Sequence, residues 1–407
     1  MKKSLIGTLL LSLALPLAAQ VPDSLVALLE KHPALRAFHA QKEGLEHRAE
    51  AATAWPEPMV SSSWFALPVE TRLGPQQWRI GASQDIPWKG ALDNRRELAD
   101  NKAQLPQMAL EETRAALLAQ LREAWLELTA LREKQQLLRR EAQWLDLRIT
   151  LTRSRVANGL TRLDAALLLE IEREEVNRRL GEMASAELEP TARINGLLSR
   201  ETSKHIRTDS TLTDQPWPAR APWQPEKHPA AARYELEKTG AQLRIEANRW
   251  ARTPAVNVGI DYILVGRRDV PELTDNGRDI IAPRIGIMLP LARRKYRADD
   301  QAERAAVMQA DARKADIVNR LHTAIAGAKS RYDQADIALQ SITRQISIAE
   351  DALPLLLSAW AENKASMEEL LQLHRKIWQM RQALVDQKLK KARAAVNARE
   401  IMTKIEE

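Results

Sequence analysis

Ala255-Val256-Asn257-Val258-Gly259-Ile260-Asp261-Tyr262-Ile263-Leu264-Val265 alternates apolar and polar residues. Successive side chains of an extended strand point to opposite sides. Val256, Val258, Ile260, Tyr262 and Leu264 therefore share one face, with Asn257, Gly259 and Asp261 on the other. Three other stretches carry the same kind of pattern. In 281–289, Ile281, Pro283, Ile285, Ile287 and Leu289 oppose Ala282, Arg284, Gly286 and Met288. In 76–86, Trp78, Ile80, Ala82, Gln84 and Ile86 oppose Arg79, Gly81, Ser83 and Asp85. Residues 59–69 are rich in serine and aromatics and end at the turn Leu73-Gly74-Pro75.

Around these four strands almost everything reads as helix. Residues 23–54 form a helix that Asp23 or Ser24 can cap and that Trp55-Pro56-Glu57-Pro58 ends. From 89 to 156 runs one helical stretch interrupted only by Pro106, on the order of 100 Å long at 1.5 Å per residue. Its seam is heptad-like: Leu117, Leu121, Ala124, Leu128, Leu131, Leu138, Ala142, Leu145 and Ile149, with Gln135 as the polar interruption. Asn158-Gly159-Leu160-Thr161 breaks the run, and a second helix returns over 162–198 with a kink at Pro190. The second half repeats this order. Glu30-Lys31-His32-Pro33-Ala34 returns as Glu226-Lys227-His228-Pro229-Ala230, and Pro58 returns as Pro254. A helix over 226–251 and two strands follow, then a long helix over 292–353 and a partner over 366–404. The domain plan is thus a leader at 1–19, a first copy at 20–200, a Pro-, Thr- and Ser-rich link at 201–225, and a second copy at 226–407.

The leader reads as a secretory signal: Lys2 and Lys3, a short apolar run over 4–16, then Leu17-Ala18-Ala19 before Gln20. No later segment approaches 18 uninterrupted apolar residues. The chain has no cysteine, which excludes disulfides, thiolate metal sites and a cysteine nucleophile. The net charge of +7 falls to +5 without Lys2 and Lys3, and both signs are intermixed, so nucleic acid is not an expected partner. There is no phosphate-cradling glycine loop, no nucleophile elbow and no zinc-protease motif, so no enzyme, catalytic residue or cofactor is expected. His32, His39, His47, His205, His228, His322 and His374 are dispersed, and no metal site is assigned.

Strands of about ten residues with one apolar and one polar face match transmembrane β-strands. Trp64, Trp78, Trp88 and Tyr262 lie in or beside them, where a membrane-interface girdle sits. Four strands cannot close a barrel, and lipid does not tolerate open edges, so several chains must share one. Three chains make the ordinary size of about 12 strands. The competing readings are two soluble hairpins packed on helices, in a periplasmic coiled-coil adaptor or scaffold, or a secreted helical surface protein. Two long hairpins, each preceded by a strand pair, disfavour an adaptor with one hairpin flanked by small β-domains.

Over roughly residues 23–404 the chain resembles the TolC-like outer-membrane efflux factors. The resemblance rests on the opening at 32–36 and the strand exit Ser83-Gln84-Asp85-Ile86-Pro87-Trp88-Lys89-Gly90. It rests also on the tip Arg155-Val156-Ala157-Asn158-Gly159-Leu160-Thr161 and on Ala192-Arg193-Ile194-Asn195-Gly196-Leu197-Leu198. The exit Ile86-Pro87-Trp88 is most similar to members serving heavy-metal or copper pumps. The resemblance implies a fold that is mainly α with β. A homotrimer would make a 12-stranded barrel in the outer-membrane lipid and a helical tunnel across the periplasm. Residues 201–225 would belong to an equatorial belt. Its implied role is passive export, of heavy metals or drugs, with a periplasmic adaptor (membrane fusion) protein and an inner-membrane pump of RND type. Asn158, Gly159, Leu160 and Thr161 would then be the adaptor-docking tip, with Asn363 at the second tip. Gly159 and Asn363 are also the residues that suit the positive φ of a tight helix-to-helix turn. Pro354 would bend the helix before the second tip. Asp351, Glu362 and Glu368 near that tip would form a periplasmic gate, since three-fold repetition turns an inward carboxylate into a cation-favouring ring.

Overall fold

A computed structural model describes residues 21–208, 211–212, 214–218, 223–269 and 274–402. The leader at 1–19 lies outside them, as do parts of the link and of the loop between the last two strands. The elements run α1 (Asp23–Leu29), α2 (Pro33–Ala51), β1 (Met59–Thr71), β2 (Gly74–Ile86), α3 (Lys89–Ala157), α4 (Leu163–Ala186) and α5 (Leu188–Leu197). After the link come α6 (Pro229–Trp250), β3 (Ala255–Val265), β4 (Ile280–Met288), α7 (Arg293–Ala361) and α8 (Met367–Ile401). Among the described residues no helix is long and apolar enough to cross a membrane.

The chain forms two compact units. Of the described residues, one unit holds those within 21–36, 111–228 and 319–402, and the other those within 37–110 and 229–318. In the first, the tip halves of α3, α4, α7 and α8 share one core: Leu138, Ala142 and Leu145 meet Ala165, Leu169, Val176, Trp360, Met367, Leu370 and Leu371. Leu117, Leu121, Ala124 and Leu128 of the predicted seam are buried, Leu131 and Ile149 are half-buried, and Gln135 is buried among them. The described part of the link is fastened to this unit. Leu212 is buried, and its amide donates to Glu133. Tyr332 Oη donates to the Gln215 carbonyl and accepts from the Trp217 amide, and Lys391 is bound 2.6 Å from both Asp214 and Asp336.

The second unit carries the sheet. It is antiparallel in the order β1-β2-β3-β4, so β1 and β4 are edges. The register places Ser61, Gly81, Asp261 and Ala282 in one rung across all four strands. A register shift interrupts β1–β2 pairing between Trp64 and Val69.

Four helix boundaries differ from the sequence expectation. The helix expected over 23–54 is two, because Pro33 disfavours helical backbone at His32 and has no N–H to give. His32 instead starts α2, its Nδ1 accepting the Ala34 amide at 3.2 Å. The second copy behaves alike: Glu226 and Lys227 sit in a short 3-10 turn, and α6 begins only at Pro229. The kink assigned to Pro190 becomes a break at Glu187, next to the carbonyl that Pro190 cannot bond. The opposite happens at Pro354, where α7 continues to Ala361. Leu356, Leu357 and Trp360 pack onto the shared core beyond the proline and hold the last turns helical.

Candidate functional sites at the sheet and the hairpin tips

The sheet wears its apolar side outward. Val60, Trp64, Trp78, Ile80, Ile260, Tyr262, Ile281, Ile285 and Ile287 are all exposed. On the opposite face Ser83 and Asp261 are buried, at 9% and 2% exposed, while Ser61, Asp85 and Arg284 stand open. This inverts a soluble sheet, where the apolar face is buried. Of the four predicted interface aromatics, Trp64 and Trp78 are cross-strand partners, exposed by 65% and 44%. Tyr262 stands opposite Ile80 and donates its hydroxyl to Asp279. Trp88 lies just past the helix-proximal end of β2, its Nε1 donating to the Pro254 carbonyl at 2.9 Å.

On the polar face, Arg79 of β2 makes a short ion pair with Asp261 of β3, and Arg284 of β4 approaches the same carboxylate at 4.0 Å. A side chain at Gly81 would collide with Asp261 Oδ1, so glycine there lets the carboxylate lie flat on the sheet. The cross-strand triad of two cations and one anion was not singled out from sequence. The alternation places Arg79 and Arg284 on polar faces, but only the register shows that Asp261 lies between them.

At the tips, the two turn residues take left-handed backbone, φ 67° at Gly159 and φ 59° at Asn363. Gly159 meets no steric cost there, and Asn363 pays little. Asn158 closes its turn by donating Nδ2 to the Ser154 carbonyl at 2.8 Å. Leu160 is 56% exposed. The structure brings both tips together: Gly159, Leu160, Thr161, Trp360, Asn363 and Glu368 all line one groove of about 540 Å³. Arg155 joins the hairpins, with Nη2 donating to the Ala361 carbonyl at 3.2 Å and its guanidinium 4.7 Å over the Trp360 ring. Ser366 caps α8 through a reciprocal pair with Glu369. The spacing Ser366-x-x-Glu369 carried that signal in sequence; the Arg155–Trp360 contact, 205 positions apart, left no local mark. Of the three expected gate carboxylates, all are exposed on the chain. Glu362 pairs with Lys364 at 2.6 Å, Glu368 accepts from Gln372, and only Glu368 reaches the groove.

Behind the tips lies a buried polar cluster. His374 stacks on Trp144 at 3.7 Å and accepts a hydrogen bond from Trp378 Nε1 at 2.6 Å. Burial, with Arg381, Arg148 and Arg375 nearby, lowers its pKa to about 3, so the ring is neutral. Among the described residues no group of three or more His, Cys, Asp or Glu is placed to hold a metal ion.

By sequence, no family model and no curated protein matches the chain. By structure, the arrangement is a TolC-like protomer fold, a four-stranded antiparallel sheet with long helical hairpins. It is similar to CusC at 14% identity and TM-score 0.75, covering 94% of this chain and 92% of that one. It is similar also to the open-state MtrE outer-membrane channel of Neisseria gonorrhoeae, at 16% identity, TM-score 0.73, and 93% and 88% coverage. The outer-membrane protein VceC of Vibrio cholerae follows at 15% identity, TM-score 0.73, and 94% and 96% coverage. At such identities the likeness is one of fold.

Proposed function

We propose that the chain is one protomer of a homotrimeric outer-membrane duct that exports solutes passively, with energy supplied by a partner pump. The inverted sheet carries this reading. An apolar face of this extent costs about 25 cal/mol per Å² to leave in water, and a lipid environment removes that cost. Its open β1 and β4 edges need partners, and two more copies supply them while closing a barrel of about 12 strands. Fold neighbours that are themselves outer-membrane channels support the same reading.

In this account residues 1–19 direct export, and 20–200 and 226–407 are two copies of one unit joined by 201–225. The groove at Gly159, Leu160, Thr161 and Asn363, with Asn158 in the turn beside it, receives a periplasmic adaptor that links the duct to an inner-membrane pump of RND type. Asp351, Glu362 and Glu368 ring the periplasmic end. A soluble adaptor or scaffold is the alternative. Membrane fractionation separates the two: the duct stays in the outer-membrane pellet through high-salt and alkaline washes and leaves only with detergent. Release by salt, or recovery with the soluble periplasm, would favour the alternative.

A further inference from the structure

The polar face of the sheet is the lumen wall if the trimeric barrel proposed above is right, and on that footing its charges face the passing solute. Most side chains around the Asp261 rung on that face are small: Ser61, Gly81 and Ala282 in the rung itself, Ser83 and Gly259 beside it. Against them stand Arg79 and Arg284, whose side chains keep 41% and 42% of their surface exposed. They flank Asp261, whose side chain is 3% exposed, from the strands on either side. Two guanidinium groups on one carboxylate leave a net positive charge per chain. Toward the helices the next charge on that face is Asp85, whose rung is two residues beyond the Ser83–Gly259–Arg284 rung and which stands two strands away from Arg284. At about 3.3 Å per residue and about 4.8 Å per strand that is roughly 12 Å, longer than the screening length of about 8 Å at physiological salt. Asp85 therefore does not cancel the charge locally.

We infer that Arg79 and Arg284, held in place by Asp261, form a positive collar at mid-height of the barrel and make it favour anionic solutes. Rings of charged side chains set the sign of ion that passes, and substitutions in a barrel lumen tune selectivity without disturbing the lipid face. Gly81 is part of the device, since a Cβ there would press on Asp261 Oδ1 and force the carboxylate to shift. The collar and the entrance carboxylates Asp351, Glu362 and Glu368 then act as two filters of opposite sign. Neutralising those three removes the cation-favouring contribution and leaves the collar alone.

The test is the zero-current potential of the full-length protein in planar bilayers under a potassium chloride gradient. It is run with the native entrance and with Asp351→Asn, Glu362→Gln and Glu368→Gln together. With the entrance neutralised, chloride is favoured over potassium. Arg284→Gln lowers the chloride-to-potassium permeability ratio at least about twofold, Arg284→Lys restores it, and Asp261→Asn raises it. Because the chain has no cysteine, Arg284→Cys reports on the same position with an intact Arg79–Asp261 pair. A negatively charged thiol reagent shifts that channel toward cations. Channels of normal conductance whose selectivity is indifferent to Arg284→Gln and to the reagent overturn the collar and leave the duct standing. Absence of channels from the unmodified protein overturns the duct, and the collar falls with it. Unchanged selectivity on neutralising the entrance removes the gate ring alone and leaves the collar to the Arg284 arms.

Discussion

Glu141 is the residue whose chemistry is most out of keeping with its place. It sits on α3 with no exposed surface, and neither carboxylate oxygen has a hydrogen-bond partner among the described residues. Burial pushes its pKa up to about 7; Glu172 of α4 adds to the rise, and Arg179 of α4 and Arg381 of α8 oppose it. In the unfolded chain the group titrates near 4.5. Between those values the folded state holds the extra proton, so its contribution to stability is full below pH 4.5 and is lost as pH rises through 7. Glu141→Gln, which mimics the protonated form, is therefore expected to flatten the pH profile. At pH 8 it stabilises the packing of α3 on α4 and α8 by roughly 1–3 kcal/mol. Hydrogen exchange of the α3 amides around Glu141, measured from pH 5 to 8 on both proteins, checks this. Parallel profiles would refute it. Residue-scale chemistry of this kind was only partly legible in sequence. Gly159 and Asn363 declared their backbone because few residue types tolerate positive φ. Glu141 and His374 sat on helices of mixed charge like dozens of solvated neighbours, and their burial depends on what packs over them.

Among the elements, strands were more legible than helix ends. A period of two survives any environment that distinguishes two faces, and β3 runs over the very residues that alternate best. Proline positions were less reliable guides. Pro33 and Pro190 lie beside breaks, whereas α3 and α7 run on through Pro106 and Pro354, and the turns after Pro354 pack Leu356, Leu357 and Trp360 on the shared core. At the tips, Leu160 of the first hairpin turn is exposed and lines the groove, and it is the apolar residue of the proposed adaptor-docking surface. Leu160→Asp is expected to weaken capture of the periplasmic adaptor by about tenfold or more, with assembly and conductance unchanged. Undiminished binding would remove the tip from the docking surface. Gly159→Pro is a harsher probe, since a proline φ near −65° cannot meet the 67° found there.

At the scale of the whole molecule, a single chain leaves too much apolar surface in view. Besides the sheet, Leu163, Leu167 and Ile171 make an exposed stripe at helical spacing on α4, and Ile337, Ile348 and Leu355 stand exposed on α7. Scattered exposed leucines need no explanation; aligned ones together with two open sheet edges call for partners. In the proposed trimer, further copies of the same chain would supply cover for the stripes and pairing for the edges together. The proposed number of copies rests on strand arithmetic and the family resemblance, because no single chain records its own symmetry. The most direct measurement is the native mass of the full-length protein, extracted in detergent from the outer-membrane fraction and corrected for bound detergent. The account predicts three chains, and an assembly that exists only while detergent or lipid covers the sheet. A monomer or dimer, soluble without detergent, would contradict it, and the four strands would then not be membrane strands.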